Sequence, residues 1–322
     1  MNNRALVVGT VAYDLIFGIH GDIRKEIIVK NGKVGRVNLM FTAKGKQKYY
    51  GGTAGNIAYG LALLRDRPIL FSVAGKDFST DYEPYLKKLK IKLRVIKKEG
   101  FTPTFYGISD EVLQQIGIWQ PNVYADFSDK TKLKEGLKKS DYSLIKVSIF
   151  SPGTGISTRN HMKELRKKLK NKVTIIFDPS QVLSIFYDKK LLLECLSLAD
   201  IFIGNETEIA QLKNIFGLGT KDVLNLGLKA IIETRGEDGC LIHQKDLSPI
   251  KIEAIKPKKV TETTGAGDAF RAGLIHGLLK NKSLEESCRF GAFMGAKSVE
   301  EKGGQLYTTT KKELINKIKN LK

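Results

Sequence analysis

The sequence predicts an α/β fold: a doubly wound, mostly parallel sheet with helices on both faces and a small β-sheet lid. Three observations lead there. From Ser143 onward, short apolar runs of strand type alternate with helical stretches, a spacing that calls for right-handed βαβ crossovers. Between Phe17 and Tyr50 the pattern changes to apolar–polar alternation around Asn31-Gly32, a hairpin signal that sets a small sheet apart from the main one. Polar residues also recur at the carboxyl ends of the predicted strands, the edge at which open α/β sheets bind ligands.

Taken in order, Ala5 to Gly9 reads as a buried strand by its continuous apolar character, leading into a loop that carries Asp14. Asp14 suits either a ligand contact or a turn cap. The runs Glu26 to Lys30 and Val34 to Phe41 flank Asn31-Gly32. Then Gly51-Gly52-Thr53-Ala54-Gly55-Asn56 opens an apolar helix to about Leu64. Thr53 and Asn56 at that helix start suit hydrogen bonds to a polyhydroxylated ligand, and equally an ordinary strand-to-helix turn. Ile69 to Ala74 is the next strand and Tyr82 to Leu89 a helix. Phe101 to Gly117 has β-type content that adds strands to the hairpin.

Beyond this, strands at Ser143 to Phe150, Val173 to Phe177, Asp200 to Gly204 and Lys229 to Thr234 alternate with helices at Thr158 to Lys170, Lys189 to Leu198 and Glu206 to Ile215. The strand ends carry Asp178-Pro179-Ser180-Gln181, Asn205-Glu206-Thr207-Glu208 and Thr234-Arg235-Gly236. Each alone suits a cap or turn; three in succession converge in space. Cys240 to His243 and Ile250 to Ala254 form a short antiparallel extension. Helices after Asp268, at Leu284 to Val299 and at Lys311 to Asn320 complete the chain.

The chemistry is expected at Glu262 to Phe270. Gly265 and Gly267 allow backbone conformations closed to other residues, and the unpaired N–H groups of a helix start attract an anion. Asp268 stands beside that cradle, positioned to accept a proton from a hydroxyl attacking a phosphoryl group. A glycine pair before a helix also serves close packing onto a sheet. The stretch is neither a dinucleotide fingerprint, since Phe270 replaces the third glycine, nor a Walker loop.

Size and composition bound the rest. The 322 residues, with 42% apolar and 27% charged content, suffice for one α/β domain over 1–322, its lid formed by insertions at about 15–50 and 101–119. The net charge of +20 comes from lysines spread along faces such as 163–172 and 311–322. With no Arg-rich or aromatic-interleaved block, these read as solvated faces and not as a nucleic-acid site, although the potential favours an anionic substrate such as a nucleotide. Three separated cysteines suggest thiols in a reducing cytoplasm, and the four isolated histidines suggest no metal centre. No run approaches the roughly 18 to 20 apolar residues of a membrane span.

The ordered set Asp14, Gly51-Gly52 with Asn56, Asn205-x-x-Glu208, Thr234-x-Gly236 and Thr264-Gly265-Ala266-Gly267-Asp268 resembles the ribokinase-like (PfkB) carbohydrate and nucleoside kinases over essentially the whole chain. The resemblance implies transfer of the ATP γ-phosphate to a primary hydroxyl. It implies Asp268 as base and Gly265, Ala266 and Gly267 as anion hole. Asn205 and Glu208 would organise Mg²⁺ and phosphate, through water; Thr234, Gly236 and Thr264 would serve the nucleotide; Asp14, Gly52, Thr53 and Asn56 would meet the acceptor. A monovalent cation is a further expectation of the family, and a lid built from two insertions suits either a homodimer clasp or a free-standing cover. Gly51 to Tyr59, Phe177-Asp178-Pro179 with Gln181, and Phe270 to Gly273 look most like the bacterial and archaeal adenosine (nucleoside) kinase-like branch. Phe101, Phe105, Tyr106 and Trp119 suit stacking on a purine or filling the lid core. Ribokinase or another sugar kinase is the alternative. A metabolite-sensing or nucleic-acid-associated binding protein is the non-enzyme reading, against which the intact Asp268, Asn205 and Glu208 argue. Glu262 stands where the family usually has Asp.

Overall fold

The computed structural model describes residues 3–26, 29–30, 33–34, 40–112, 115–125 and 131–319. Among these the strands are β1 (Arg4–Val8), β2 (Ala12–Ile19), β3 (Val29–Lys30), β4 (Lys33–Val34), β5 (Ala43–Gly51), β6 (Ile69–Gly75), β7 (Lys92–Lys98), β8 (Thr104–Ser109), β9 (Gln115–Gln120), β10 (Ile145–Phe150), β11 (Thr174–Phe177), β12 (Ile201–Asn205), β13 (Ala230–Thr234), β14 (Cys240–His243) and β15 (Ile250–Ile252). The longer helices are α1 (Thr53–Leu63), α2 (Tyr82–Lys88), α5 (Gly155–Leu169), α7 (Lys189–Leu198), α8 (Glu206–Asn214), α9 (Thr220–Asn225), α10 (Ala266–Leu279), α11 (Leu284–Ser298) and α12 (Lys311–Lys319). Single turns at Leu133–Gly136, Lys139–Tyr142 and Leu183–Phe186 are α3, α4 and α6.

Nine strands form the large sheet, in the order β15-β14-β13-β12-β11-β10-β1-β6-β7. It is parallel from β13 to β7 and antiparallel across β13-β14-β15. The order reverses at β1, which has β6 on one side and β10 on the other, so the crevice beyond its carboxyl end lies at the switch point. The continuous apolar character of β1 follows from burial on both faces. Ala5 and Val7 join the core under α1, α2, α10 and α11, with Ile57, Leu61, Leu86 and Leu274. Leu6 and Val8 join the core under α5, α7, α8 and α9, with Leu165, Leu192, Leu212 and Val223.

Among the elements that escaped the sequence reading are one strand and one helix of the large domain. The edge strand β7 reads Lys-Leu-Arg-Val-Ile-Lys-Lys, and its charges hide its strand character while blunting an exposed edge. The short helix α9 rests on one turn of buried Val223 and Leu224.

The second sheet has the order β5-β2-β8-β9. Val29–Lys30 pairs antiparallel with Lys33–Val34, while Asn31-Gly32 and residues 35–39 of the predicted second run lie outside the described residues. The strand that pairs with β2 in this sheet is instead Ala43–Gly51, whose lysines and glutamine mask its strand character. No helix among the described residues is long and apolar enough to cross a membrane.

Candidate active site

The start of α10 is built as the glycines require. Gly265, at φ +82°, is the left-handed N-cap, and a Cβ there would sit 2.8 Å from the Gly304 Cα. The Ala266 N–H donates to the Thr263 carbonyl at 3.2 Å. Among the described residues, the Gly267 and Asp268 N–H groups have no protein acceptor, so the turn offers polarised donors.

Asp268 is fixed by a chain of hydrogen bonds. Asn56 Nδ2 donates to Asp268 Oδ2 at 2.8 Å, and Asn56 Oδ1 accepts from Gln305 Nε2 at 3.0 Å, so the amide has one orientation available. Gln305 Nε2 also donates to the Tyr82 hydroxyl at 2.6 Å, which in turn donates to the Gly51 carbonyl at 2.8 Å. Gly304 is required by this arrangement, since a Cβ there would approach Asn56 Nδ2 to 2.6 Å. Burial pushes the Asp268 carboxyl up to about 6; the charge of Asp178 adds to the effect, while Arg271 and the Asn56 bond oppose it. Tyr82 and Gln305 were not read as site residues. Their packing around Asn56, a residue distant from Gln305 in sequence, leaves no local signal.

Asp14 corrects an expectation. It lies within β2, opposite Tyr49 on β5 and Phe105 on β8, and not in the loop after β1. The backbone turns from β1 into the second sheet in a few residues, so the apolar run of β1 continues into a strand that belongs elsewhere. Gly51 makes room for its carboxylate: a Cβ there would lie 2.3 Å from Asp14 Oδ2. Burial, then the charges of Asp268 and Glu262, push Asp14 up to about 7, so the three carboxyl groups share one region. Glu262 Oε2 accepts from the Gly303 N–H at 2.9 Å and ties the loop before α10 to the loop that carries Gln305. Gly52, at φ +79°, passes so close to Thr10 and Ala12 that a Cβ would meet both at 2.7 Å. Thr53 opens α1, and its hydroxyl bonds to none of the described residues, while the next two N–H groups donate to the Thr10 carbonyl.

At the ends of β12 and β13, Asn205 and Thr234 are direct partners in the sheet. Asn205 and Glu208 form a reciprocal cap on α8: Glu208 N–H donates to Asn205 Oδ1 at 2.9 Å and Asn205 N–H to Glu208 Oε2 at 2.8 Å. Burial first, then Asp178, raises the Glu208 carboxyl above its ordinary range. No cluster of three or more acidic, His or Cys side chains that suits a metal ion occurs among the described residues. A cation here would meet Glu208 on the protein side and water and phosphate elsewhere, a donor set that fits magnesium, which sheds water reluctantly. Beside these strand ends opens a cleft of about 1020 Å³, lined by Thr234, Gly236, Lys256, Thr263, Gly267 and Val299 among others. Thr264, next to Thr263, is exposed.

Register sorts the aromatics of the second sheet. Asp14 pairs with Phe105 and Phe105 with Trp119, so these lie on one face with Ile16. Gly117 lets the Phe105 ring lie over β9, since a Cβ would meet it at 2.5 Å. Tyr106 belongs to the opposite face, with Phe17, Ile19, Ile108, Ile116 and Ile118. Phe101 precedes β8 and is exposed.

Comparison with known proteins adds an independent line. Residues 5–311 match the model of the pfkB family of carbohydrate kinases. The chain is 30% identical to a nucleoside kinase of Methanocaldococcus jannaschii over 97% of its own length and 95% of the relative's. The crystal structure of the Methanocaldococcus jannaschii nucleoside kinase superposes with a TM-score of 0.83 at 28% identity, covering 98% of each chain. A Burkholderia thailandensis nucleoside kinase in complex with inosine gives 0.81 at 27% identity, over 98% of this chain and 97% of that one. The chain therefore belongs to the pfkB family of carbohydrate kinases, phosphotransferases with an alcohol group as acceptor.

Proposed function

We propose that this kinase transfers the γ-phosphoryl group of ATP to a primary hydroxyl of a nucleoside, adenosine-like in size, with Asp268 as general base. The observation that carries the reading is the Asp268 carboxylate, held by Asn56 Nδ2 at 2.8 Å and lying beside the unpaired N–H groups of Gly267 and Asp268. The acceptor hydroxyl gives its proton to Asp268 as its oxygen bonds to the γ-phosphorus, and the bond from that phosphorus to the β-phosphate bridging oxygen breaks, leaving ADP and a phosphate monoester. The amides of the Gly265–Gly267 turn stabilise the transferring group. Ala266 already serves Thr263, so Gly267 does more of this than Ala266. Asp14 and Asn56 orient the acceptor, with Gly52 and Thr53 bordering it. The nucleotide occupies the cleft beside Thr234 and Gly236, with Thr264 at its margin. Magnesium, held through Glu208 and Asn205 by way of water, would supply charge neutralisation at the phosphates.

A nucleoside is favoured over a free sugar by the face on which Asp14 lies. Phe105 and Trp119 share that face and offer a base something to stack on while Asp14 takes ribose hydroxyls. Similarity to nucleoside kinases along nearly the whole chain supports the same choice. The second sheet then acts as a lid over the acceptor. The test is ADP formation from ATP over a panel of nucleosides, ribose, fructose and inositol. Turnover of nucleosides ahead of the sugars is expected; ribose far ahead of every nucleoside would overturn the assignment.

A further inference from the structure

One turn beyond Asp268 on α10, Arg271 is 7% exposed and is clamped by Asp178, which is fully buried just past the end of β11. Arg271 Nη2 donates to Asp178 Oδ1 at 2.7 Å, Arg271 Nε lies 2.5 Å from Asp178 Oδ2, and the Ser151 hydroxyl donates to the same carboxylate. One hydrogen bond and one close ion-pair contact on the same carboxylate hold the guanidinium in place. The remaining nitrogen, Nη1, has no acceptor among the described residues. It lies under the cradle: a Cβ built on Gly267 would come within 2.7 Å of it. Gly267 therefore leaves the room into which the end of the Arg271 side chain reaches.

A buried ion pair of this kind contributes little net stability, because desolvation of both charges offsets their attraction. Its position calls for another explanation. The charged groups that act on Asp268 are Arg271 from its own helix, Asp178 from the end of β11 and Asp14 from β2; next to these lie Glu262, from the loop before α10, beside Asp14, and Glu208, from α8, beside Arg271. In this set Arg271 alone is positive.

We propose that Arg271, held by Asp178, is a positioning residue for phosphoryl transfer: it sets positive charge beneath Gly267 and beside Asp268, so that the turn accepts an anion while the carboxyl stays ready to take the acceptor's proton. This rests on Asp268 being the base. The side chain acts through Asp268 and the turn and not by contact with the reacting atoms. The direction of the Asp268 titration agrees, since Arg271 holds it down against burial.

The test uses the full chain and the best acceptor of the panel. Arg271→Gln is expected to lower kcat about 100-fold, the scale of a lost electrostatic contact in a preorganised site. The acceptor KM should stay within about threefold, since the loss falls on the transition state. The acid limb of the kcat/KM profile should move up by about one pH unit, because the cation that favours the ionised carboxyl is gone. Arg271→Lys should restore the limb while recovering only part of kcat, because it keeps the charge and loses the fork. Should Arg271→Gln fail to fold with Asp178 left unpaired, the double variant Asp178→Asn/Arg271→Gln replaces the ion pair by two amides and carries the same test. A wild-type kcat and acid limb in a folded Arg271→Gln or double variant would overturn the inference, as would a loss confined to KM. Asp268→Asn, assayed in parallel, separates the two ideas: full activity there would overturn the base assignment itself, whereas inactivity there beside a normal Arg271→Gln overturns only the role of Arg271.

Discussion

The edge of the large sheet and the small second sheet bring carboxylates to one region but are built on opposite terms. At the edge, a set of side-chain bonds runs through the site: Asn56 to Asp268 and Gln305, Gln305 to Tyr82, Arg271 to Asp178, Asn205 to Glu208. Glycines at 265, 267 and 304 bring backbone where no Cβ fits. The second sheet has few such ties, and Ile118 and Trp119 on β9 are 63% and 45% exposed. The contrast fits the division of labour proposed above. Moving a phosphoryl group needs groups fixed before the reaction, whereas recognition of an acceptor tolerates side chains that settle on arrival. Asp14 stands apart in that sheet: its half-buried carboxylate is pushed up to about 7 by burial and by the charges of Asp268 and Glu262.

The largest effect expected on this contrast is at the edge. Asp268→Asn should lower kcat by about 10² to 10⁴, the range for a positioned acid–base group, with the fold retained in a thermal melt. Its wild-type form carries a pH signature of known sign: the carboxyl titrates at about 6 instead of in the ordinary carboxylate range, so the base is ionised above that pH and protonated below it. Initial rates between pH 5 and 8 should therefore fall on the acid side near 6, and a limb near 4 would mean that burial does not govern the group. Asp14 comes next. Asp14→Ala should raise the acceptor KM by about 10- to 100-fold, the worth of a hydrogen bond to a charged group, with a smaller change in kcat. A kcat loss as large as that of Asp268→Asn would make Asp14 part of the chemistry and erase the division of labour. The smallest effect is expected in the second sheet: Trp119→Ala should raise the nucleoside KM by about 2- to 10-fold, as for one aromatic stacking contact, and leave the KM for ATP unchanged. An effect on ATP alone would place that face elsewhere.

Much of the edge was legible in the sequence because its signals are local. Strands β1 and β10 to β13 are short buried apolar runs, and Gly265-Ala266-Gly267-Asp268 announces a turn and a helix start within four residues. The Asn205-x-x-Glu208 spacing was also visible, and the structure gives it the capping role that the residues by themselves suit. The second sheet was read less well. β5 is largely polar, and Asp14 sits in a strand that follows β1 after only a short turn; at the edge of the large sheet, the charges of β7 hide that strand too. In each case the side chains face solvent or a cavity, so the burial that writes a strand pattern into a sequence is weak.

By itself the sequence determined most of the buried strands and the longer helices, the glycine turn at 265–267 and the carboxylate that follows it, because backbone freedom, periodicity and helix capping act within a few residues. Only the tertiary structure decided which groups surround that carboxylate. Asn56 lies 212 positions from Asp268, and Arg271 meets Asp178 across 93, yet both contacts are within 3 Å. The same holds for the acceptor side, where register alone puts Phe105 and Trp119 on the face of Asp14 and Tyr106 on the other. Contacts of this kind carry no period and no motif; they exist because the sheet brings its strand ends together, and because a buried charge must find its partner wherever the chain supplies one.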